Sequence, residues 1–280
     1  MESVDSLARF DDELQQKLQA LEPTRRKRVL SKLIAAALGS IPWVGGFLAA
    51  AQAYKEEEGQ IRTDNLQRQW LEEHKSRLHA LARDLAEIIN RLDSLGEEIQ
   101  DRIESEEYLA LVRKAFRSWD QADTEQKREY VKHLIANAGA ATLCPDDLVR
   151  LFLDWLDRYH EAHFMVIREI YKNPGVTRYD TWANVRGEFP KDNSSEADLF
   201  RLLIGDLSTG RVIRQARDTN VRGQFLTKKR GRSPHPGVLK SAFDDLEPYE
   251  LTELGRQFVH YVFTDVVTRI DDTADTNNSK

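Results

Sequence analysis

Hydrophobic side chains recur every three or four positions along most of this 280-residue chain. That spacing places them on one side of an α-helix. Leu7, Phe10, Leu14, Leu18 and Leu21 mark a first helix over about residues 4–21, closed by Glu22-Pro23. A second helix, capped by Thr24, opens with Arg25, Arg26, Lys27 and Arg28 and turns Leu30, Leu33, Ile34, Ala37 and Leu38 to one side. From Leu71 the repeat tightens. Leu71, His74, Leu78, Leu81, Leu85, Ile88, Leu92, Leu95 and Ile99 alternate spacings of three and four. A 3.5-residue repeat keeps one seam facing a neighbouring helix, either in a second copy or antiparallel in the same chain. Ser105 opens another helix, and Tyr130, Val131, Leu134, Ile135 and Ala138 line a further one that ends near Gly139. Pro145 starts a helix with Leu148, Leu151, Phe152, Trp155, Leu156 and Tyr159 on its apolar face. The pattern continues with a bend to Lys172, where Asn173-Pro174-Gly175 stops it.

One interval breaks the charged texture. From Leu33 to Tyr54 no side chain carries a charge at pH 7. As one helix it would reach about 33 Å, the thickness of a bilayer core. Its seven strongly apolar residues supply only about −2 to −4 kcal/mol toward insertion, and Pro42 breaks the backbone ladder near the middle. A hairpin accounts for more: Pro42 biases Ile41 to extended geometry, while Gly39, Gly45 and Gly46 permit a tight reversal. The tip would then carry Ile41, Trp43, Val44, Phe47 and Leu48 beside the basic run Arg25 to Arg28. Such a tip is buried in the protein's own core, meets a membrane surface, or meets another subunit.

Composition adds that leucine, arginine and alanine are the commonest residues, with only 14 glycines and 8 prolines, which is helix chemistry. Cys144 is the single cysteine, so no intramolecular disulfide or thiolate zinc cluster can form and a reducing, cytoplasmic setting is expected. The acidic, amphipathic opening is unlike a secretory signal. The net charge of −6 conceals segregation: residues 209–240 hold nine basic side chains against Asp218, a local +8 that leaves −14 elsewhere.

After residue 175 the texture changes. A short helix around Trp182 precedes SEADLFRLLIGDLSTG, in which Leu199, Leu202, Leu203 and Leu207 are expected inward. A β-prone basic stretch, RVIRQARDTN, follows, then a looser segment and YELTELGRQFVHYV. Gly210-Arg211-Val212-Ile213 and Tyr249-Glu250-Leu251-Thr252-Glu253-Leu254-Gly255, in this order, resemble the winged helix-turn-helix domain over about Tyr159 to Phe263. The resemblance implies a basic hairpin wing, Thr252 capping the last helix, and Tyr249 and Leu251 on the inner face of the second wing strand. It also implies a recognition helix from Ser195 to Leu207. Its outward candidates, Glu196, Asp198, Arg201 and Asp206, are mostly acidic and repel phosphate, whereas groove readers present Arg, Lys, Asn or Gln. A phosphate grip would fall to the wing residues Arg217, Arg222, Lys228, Lys229, Arg230 and Arg232.

Signatures of catalysis are missing. His160-Glu161-Ala162-His163 spaces its histidines three apart, not the four of a zinc protease helix. No Walker loop, dinucleotide turn or nucleophile elbow is present. Cys144 sits beside a helix N-terminus, where a thiol can ionise early, but without a histidine partner in view. No catalytic residue, metal ligand, cofactor or small-molecule substrate is assigned. The expected architecture is mainly α: N-terminal helices with an apolar hairpin (1–60), a long coiled-coil-like helix (61–117), a helical connector (118–158), a winged helix with a small β wing (159–265) and a disordered tail (266–280). The expected function is a non-enzymatic, oligomeric effector or regulator. Its seam from Leu71 to Ile99 joins copies, its hairpin engages a partner or the inner face of a membrane, and its C-terminal module binds a partner. The alternative is a nucleic-acid-binding regulator dimerised by the seam.

Overall fold

The computed structural model describes residues 25–47, 65–96, 99–140, 144–226 and 241–263. The expected first helix, Leu48, Lys228, Lys229, Arg230, Arg232 and the tail 266–280 lie outside them, as do the side chains of residues 25–29 and 65–72. The described chain is mainly helical: α1 (Arg25–Gly39), α2 (Asn65–Ser94), α3 (Gln100–Glu104), α4 (Glu106–Gln121), α5 (Glu125–Ala140), α6 (Asp146–Arg158), α7 (Glu161–Lys172), α8 (Arg178–Val185), α9 (Ser195–Thr209) and α10 (Glu253–Phe263). Residues 42–47 form a further helical stretch. The strands β1 (Ile213–Gln215) and β2 (Tyr249–Leu251) pair antiparallel, with Ile213 opposite Leu251 and Gln215 opposite Tyr249. Contacts group the chain into two units: residues 1–157 with 261–280, and residues 158–260.

In the first unit α5 is the central element. Lys127, Tyr130 to Lys132 and Leu134 to Gly139 are all buried, so its second half is enclosed while Glu125, Gln126, Arg128 and Glu129 keep a polar face on the first. A helix hydrophobic on one side only would sit at the surface; the stretch from Leu134 to Gly139, enclosed all round, runs through the core. Helix α4, capped by Ser105, packs on α5 and on α1. The seam residues Leu78, Leu81, Leu85, Ile88 and Leu92 of α2 are each at most 3% exposed, and α2 packs on α5. The neighbour facing this seam therefore belongs to the same chain. Helix α2 ends at Ser94, and Gly96, at φ 80°, turns the chain in the left-handed region, so Ile99 starts another element. At Gly139 a Cβ would come within 2.7 Å of Leu92 Cδ2 and of the Tyr108 hydroxyl. The absent side chain lets α2, α4 and α5 converge.

Two polar side chains of α5 meet backbone at the chain's far end. Asn137 Nδ2 donates to the carbonyl of Tyr261 at 2.8 Å, and His133 Nδ1 lies 3.0 Å from the carbonyl of Val262. Another polar group lies deeper. Asp84 is fully buried and accepts from Trp119 Nε1 at 2.8 Å. Lys132, 3% exposed, reaches Glu87 at 2.6 Å, Glu129 at 2.7 Å and Asp84 at 3.7 Å. Burial opposes the Lys132 charge, but the hydrogen bonds to Glu129 and Glu87 and the nearby charges of Asp84 and Glu129 together outweigh it and raise the ammonium pKa.

In the second unit α7 carries α8, α9 and β2. The expected bent helix over 145–172 is two helices, α6 and α7, separated at Tyr159 and His160. Helix α9 is capped by Ser194 and ends in a Schellman turn: Val212 N–H donates to Leu207 O at 2.9 Å and Arg211 N–H to Ser208 O at 3.2 Å. The left-handed residue of that turn is Arg211, at φ 60°, not Gly210, at φ −69°. Space requires the glycine: a Cβ there would sit 2.1 Å from the buried Tyr159 hydroxyl. Thr252 Oγ1 accepts from Gly255 N–H at 2.9 Å and caps α10. Gly255 admits the carbonyl of Val212 to 2.1 Å from where its Cβ would be.

Candidate partner-binding site

The first candidate region is the uncharged stretch. Helix α1 ends in a turn at Ser40 and a bend at Ile41, and Pro42 is the first residue of the helical stretch 42–47, where its fixed φ and missing N–H fit best. Gly45 and Gly46 thus lie inside a helix rather than forming the expected reversal. Ile41, Val44 and Phe47 are buried at 2%, 2% and 0% exposure. Trp43 is half-buried: Nε1 donates to Asp120 Oδ1 at 2.7 Å, its ring meets His74 edge-on at 5.0 Å, and Arg77 lies over it. Arg77 also donates to Asp120 at 2.8 Å. This packing by α2 and α4 of the same unit is the first of the three alternatives for the tip. Among the described residues no helix is long and apolar enough to cross a membrane.

The wing candidates are partly placed. Asn220 and Gly223 form a turn, with Asn220 Oδ1 accepting from the N–H groups of Arg222 and Gln224, each at 3.0 Å. Arg217 and Arg222 are exposed on either side of Asn220. Arg214, by contrast, is tied to Glu250 at 2.7 Å and lies over the Phe225 ring.

Helix α9 differs from expectation where it matters most. Its buried stripe is Ala197, Phe200, Leu203, Ile204 and Leu207. Leu199 and Leu202, expected inward, are 44% and 55% exposed. At 3.6 residues per turn the two leucines fall outside the arc set by Ala197, Phe200, Leu203, Ile204 and Leu207, and the exposed Glu196 and Asp198 lie on the same helix beside them. Arg201 is held by Asp198 at 2.9 Å and Asp192 at 3.1 Å, so its charge is spent locally.

Beside this face lies an open cleft of about 420 Å³ between α7, α8 and α9. Trp182, Phe200 and Leu203 floor it; Met165, Phe189 and Leu199 stand at its rim. The loop following α8 is fixed by Trp182 Nε1 donating to the carbonyl of Glu188 at 2.7 Å, by Gly187 at φ 84°, and by Phe189 stacked on Tyr179 at 4.4 Å. The capping box of Thr177 and Asp180 positions α8 itself. Charges around the opening are Arg186, Glu188 and Glu196. Hydrogen bonds from its own backbone N–H and from the Ser194 and Ser195 hydroxyls hold Glu196 below the usual carboxylate range.

The histidine pair serves packing. His163 Nδ1 accepts from His160 N–H at 3.1 Å at the start of α7, its ring stacks on Tyr159 at 5.0 Å, and Nε2 is 3.6 Å from Asp206. Among the described residues no group of three or more His, Cys, Asp or Glu is placed to hold a metal ion. Burial pushes the His163 imidazole below its ordinary value of 6.5, against the pull of Asp206. The unfolded chain thus binds the proton more readily, and stability is lost as pH falls below about 6.5. Replacing His163 with Phe is expected to flatten the fall in thermal midpoint between pH 7 and 5; an unchanged slope would refute this. Cys144 is buried, which raises its thiol pKa, contrary to the early ionisation its helix-start position allows.

The exposed leucines and the cleft do not emerge from the sequence as a unit, because α9 is apolar on too many sides for its sequence to choose a face. No family model, characterised protein or solved structure matches this chain.

Proposed function

We propose that this chain is a non-enzymatic regulator whose second unit, a winged-helix-like arrangement of α7 to α9, the β1/β2 pair and α10, binds a protein partner through the outer face of α9. The observation that carries this reading is the outward placement of Leu199 and Leu202 beside Glu196 and Asp198. Two exposed leucines on a solvated helix lose hydrophobic stabilisation unless something covers them. Carboxylates on the same face repel a phosphate backbone, so the position that reads DNA in winged helices is here suited to protein. The nucleic-acid alternative rests on the wing, where Arg217 and Arg222 are exposed.

Two measurements decide between them. A photoreactive amino acid at Leu202 is expected to crosslink to protein, and not to nucleic acid, in the cells that make this chain. Labelled duplex DNA and single-stranded RNA titrated at 50 and 200 mM salt are expected to show no salt-sensitive complex. A complex that weakens steeply with salt and on Arg217→Glu with Arg222→Glu would replace this reading by the alternative.

A further inference from the structure

The cleft beside α9 also carries information about the chemistry of its occupant. We propose that it receives the apolar side of an amphipathic helix from the partner protein, with Lys or Arg flanking the apolar anchors. This rests on the protein-binding reading above and adds the partner's form and charge.

Three observations lead there. The cleft is built from side chains of α7, α8, α9 and one loop, and it offers no strand edge to an extended peptide. Recognition by strand addition needs unpaired backbone groups, whereas a helix docks by side chains alone. The apolar surface also outruns the cavity. Leu202, 55% exposed, continues the ridge of Leu199 one turn along α9, yet it does not line the cleft. A compact ligand filling about 420 Å³ leaves Leu202 bare, while a helix laid along the ridge covers both leucines. Finally, the charges have a sign. At the opening Glu188 and Glu196 stand against Arg186, while Arg201 and Asp198 pair with each other and Arg201 also with Asp192. Complementarity asks for a basic partner and gives the encounter its salt dependence.

The test uses random 16-residue peptides displayed on phage, panned on the immobilised full chain and counter-selected on the Leu199→Asp variant. Leu199 is exposed, so this variant should keep the wild-type thermal midpoint. Enriched peptides are expected to carry two or more Leu, Ile, Met, Phe or Trp residues three or four apart, with net positive charge. As synthetic peptides they should gain helical circular dichroism on binding. Leu199→Asp should weaken them at least tenfold, and Glu196→Lys several-fold at low salt. Failure to enrich any peptide, enrichment of acidic or proline-rich extended peptides, or equal binding by Leu199→Asp would overturn the proposal. So would saturation of the cleft by a small apolar dye that no peptide displaces. A protein crosslink at Leu202 alongside such a failure leaves the broader reading standing; a salt-sensitive nucleic-acid complex with no protein crosslink removes both.

Discussion

Lys132→Ala is expected to cost about 3–5 kcal/mol, measured as a fall in the free energy of unfolding in urea. The loss comes from what remains behind. Asp84 is fully buried, and Lys132 is the cation of α5 that reaches it, from 3.7 Å, while also binding Glu87 and Glu129. Truncation leaves a carboxylate in the core of the first unit with one ammonium fewer, beside Arg83, whose side chain is half exposed. Pairing in a low-dielectric interior is costly to break and cheap to replace, so a compensated variant separates the two effects. Asp84→Asn keeps an acceptor for Trp119 Nε1 and removes the charge. Combined with Lys132→Met, it should recover most of the lost stability. A single Lys132→Ala variant within about 0.5 kcal/mol of wild type would show that this cluster is solvated rather than core.

Gly255→Ala is the second large effect, and its sign is the test. Inside an exposed helix, alanine for glycine stabilises by about 1 kcal/mol. At Gly255 the new Cβ would fall 2.1 Å from Val212 O and 3.0 Å from Val212 C. That carbonyl cannot retreat easily, because it accepts from Thr252 N–H at 3.0 Å as well. Overpacking of this kind costs about 1–3 kcal/mol, so α10 has to slide or the β1 entry has to bend. Gly205→Ala on α9 is the control: nothing lies within 4 Å of its Cβ position, and it should be neutral or stabilising. Equal, stabilising shifts at both positions would refute the close approach.

Those two sites differ in how far the sequence discloses them. Thr252 three residues before Gly255 is a local signal, and the cap formed there needs only neighbours in the chain. The mainly helical architecture was equally legible, since apolar spacing alone sets it. The Lys132 cluster was not, because Asp84, Glu87, Trp119 and Lys132 come from three helices and meet only after packing. The heptad repeat predicts one helix from Leu71 to Ile99, whereas the buried seam runs from Leu78 to Leu92 and the helix ends at Ser94; the repeat is silent on that break and on whether the facing helix lies in this chain or another. Helix α9 shows the limit from the other direction. With Leu199, Phe200, Leu202, Leu203 and Ile204 close together, several faces are apolar enough to turn inward, and the choice falls to the neighbours. Gly210 teaches a related lesson: a glycine at a helix end suggests backbone freedom, yet this one makes room for the Tyr159 ring.

The carbonyls that receive Asn137 and His133 have a consequence for synthesis. They belong to Tyr261 and Val262, so the central helix of the first unit gains these partners only after the entire 158–260 unit has left the ribosome. Domains emerging from the ribosome generally fold as units, the N-terminal one first. Here the later-made unit can complete its fold while the earlier one still awaits its closing segment. Ribosome-stalled chains ending near residue 258 would therefore carry an unfinished first core, open to chaperones at the surface where residues 261–263 eventually settle.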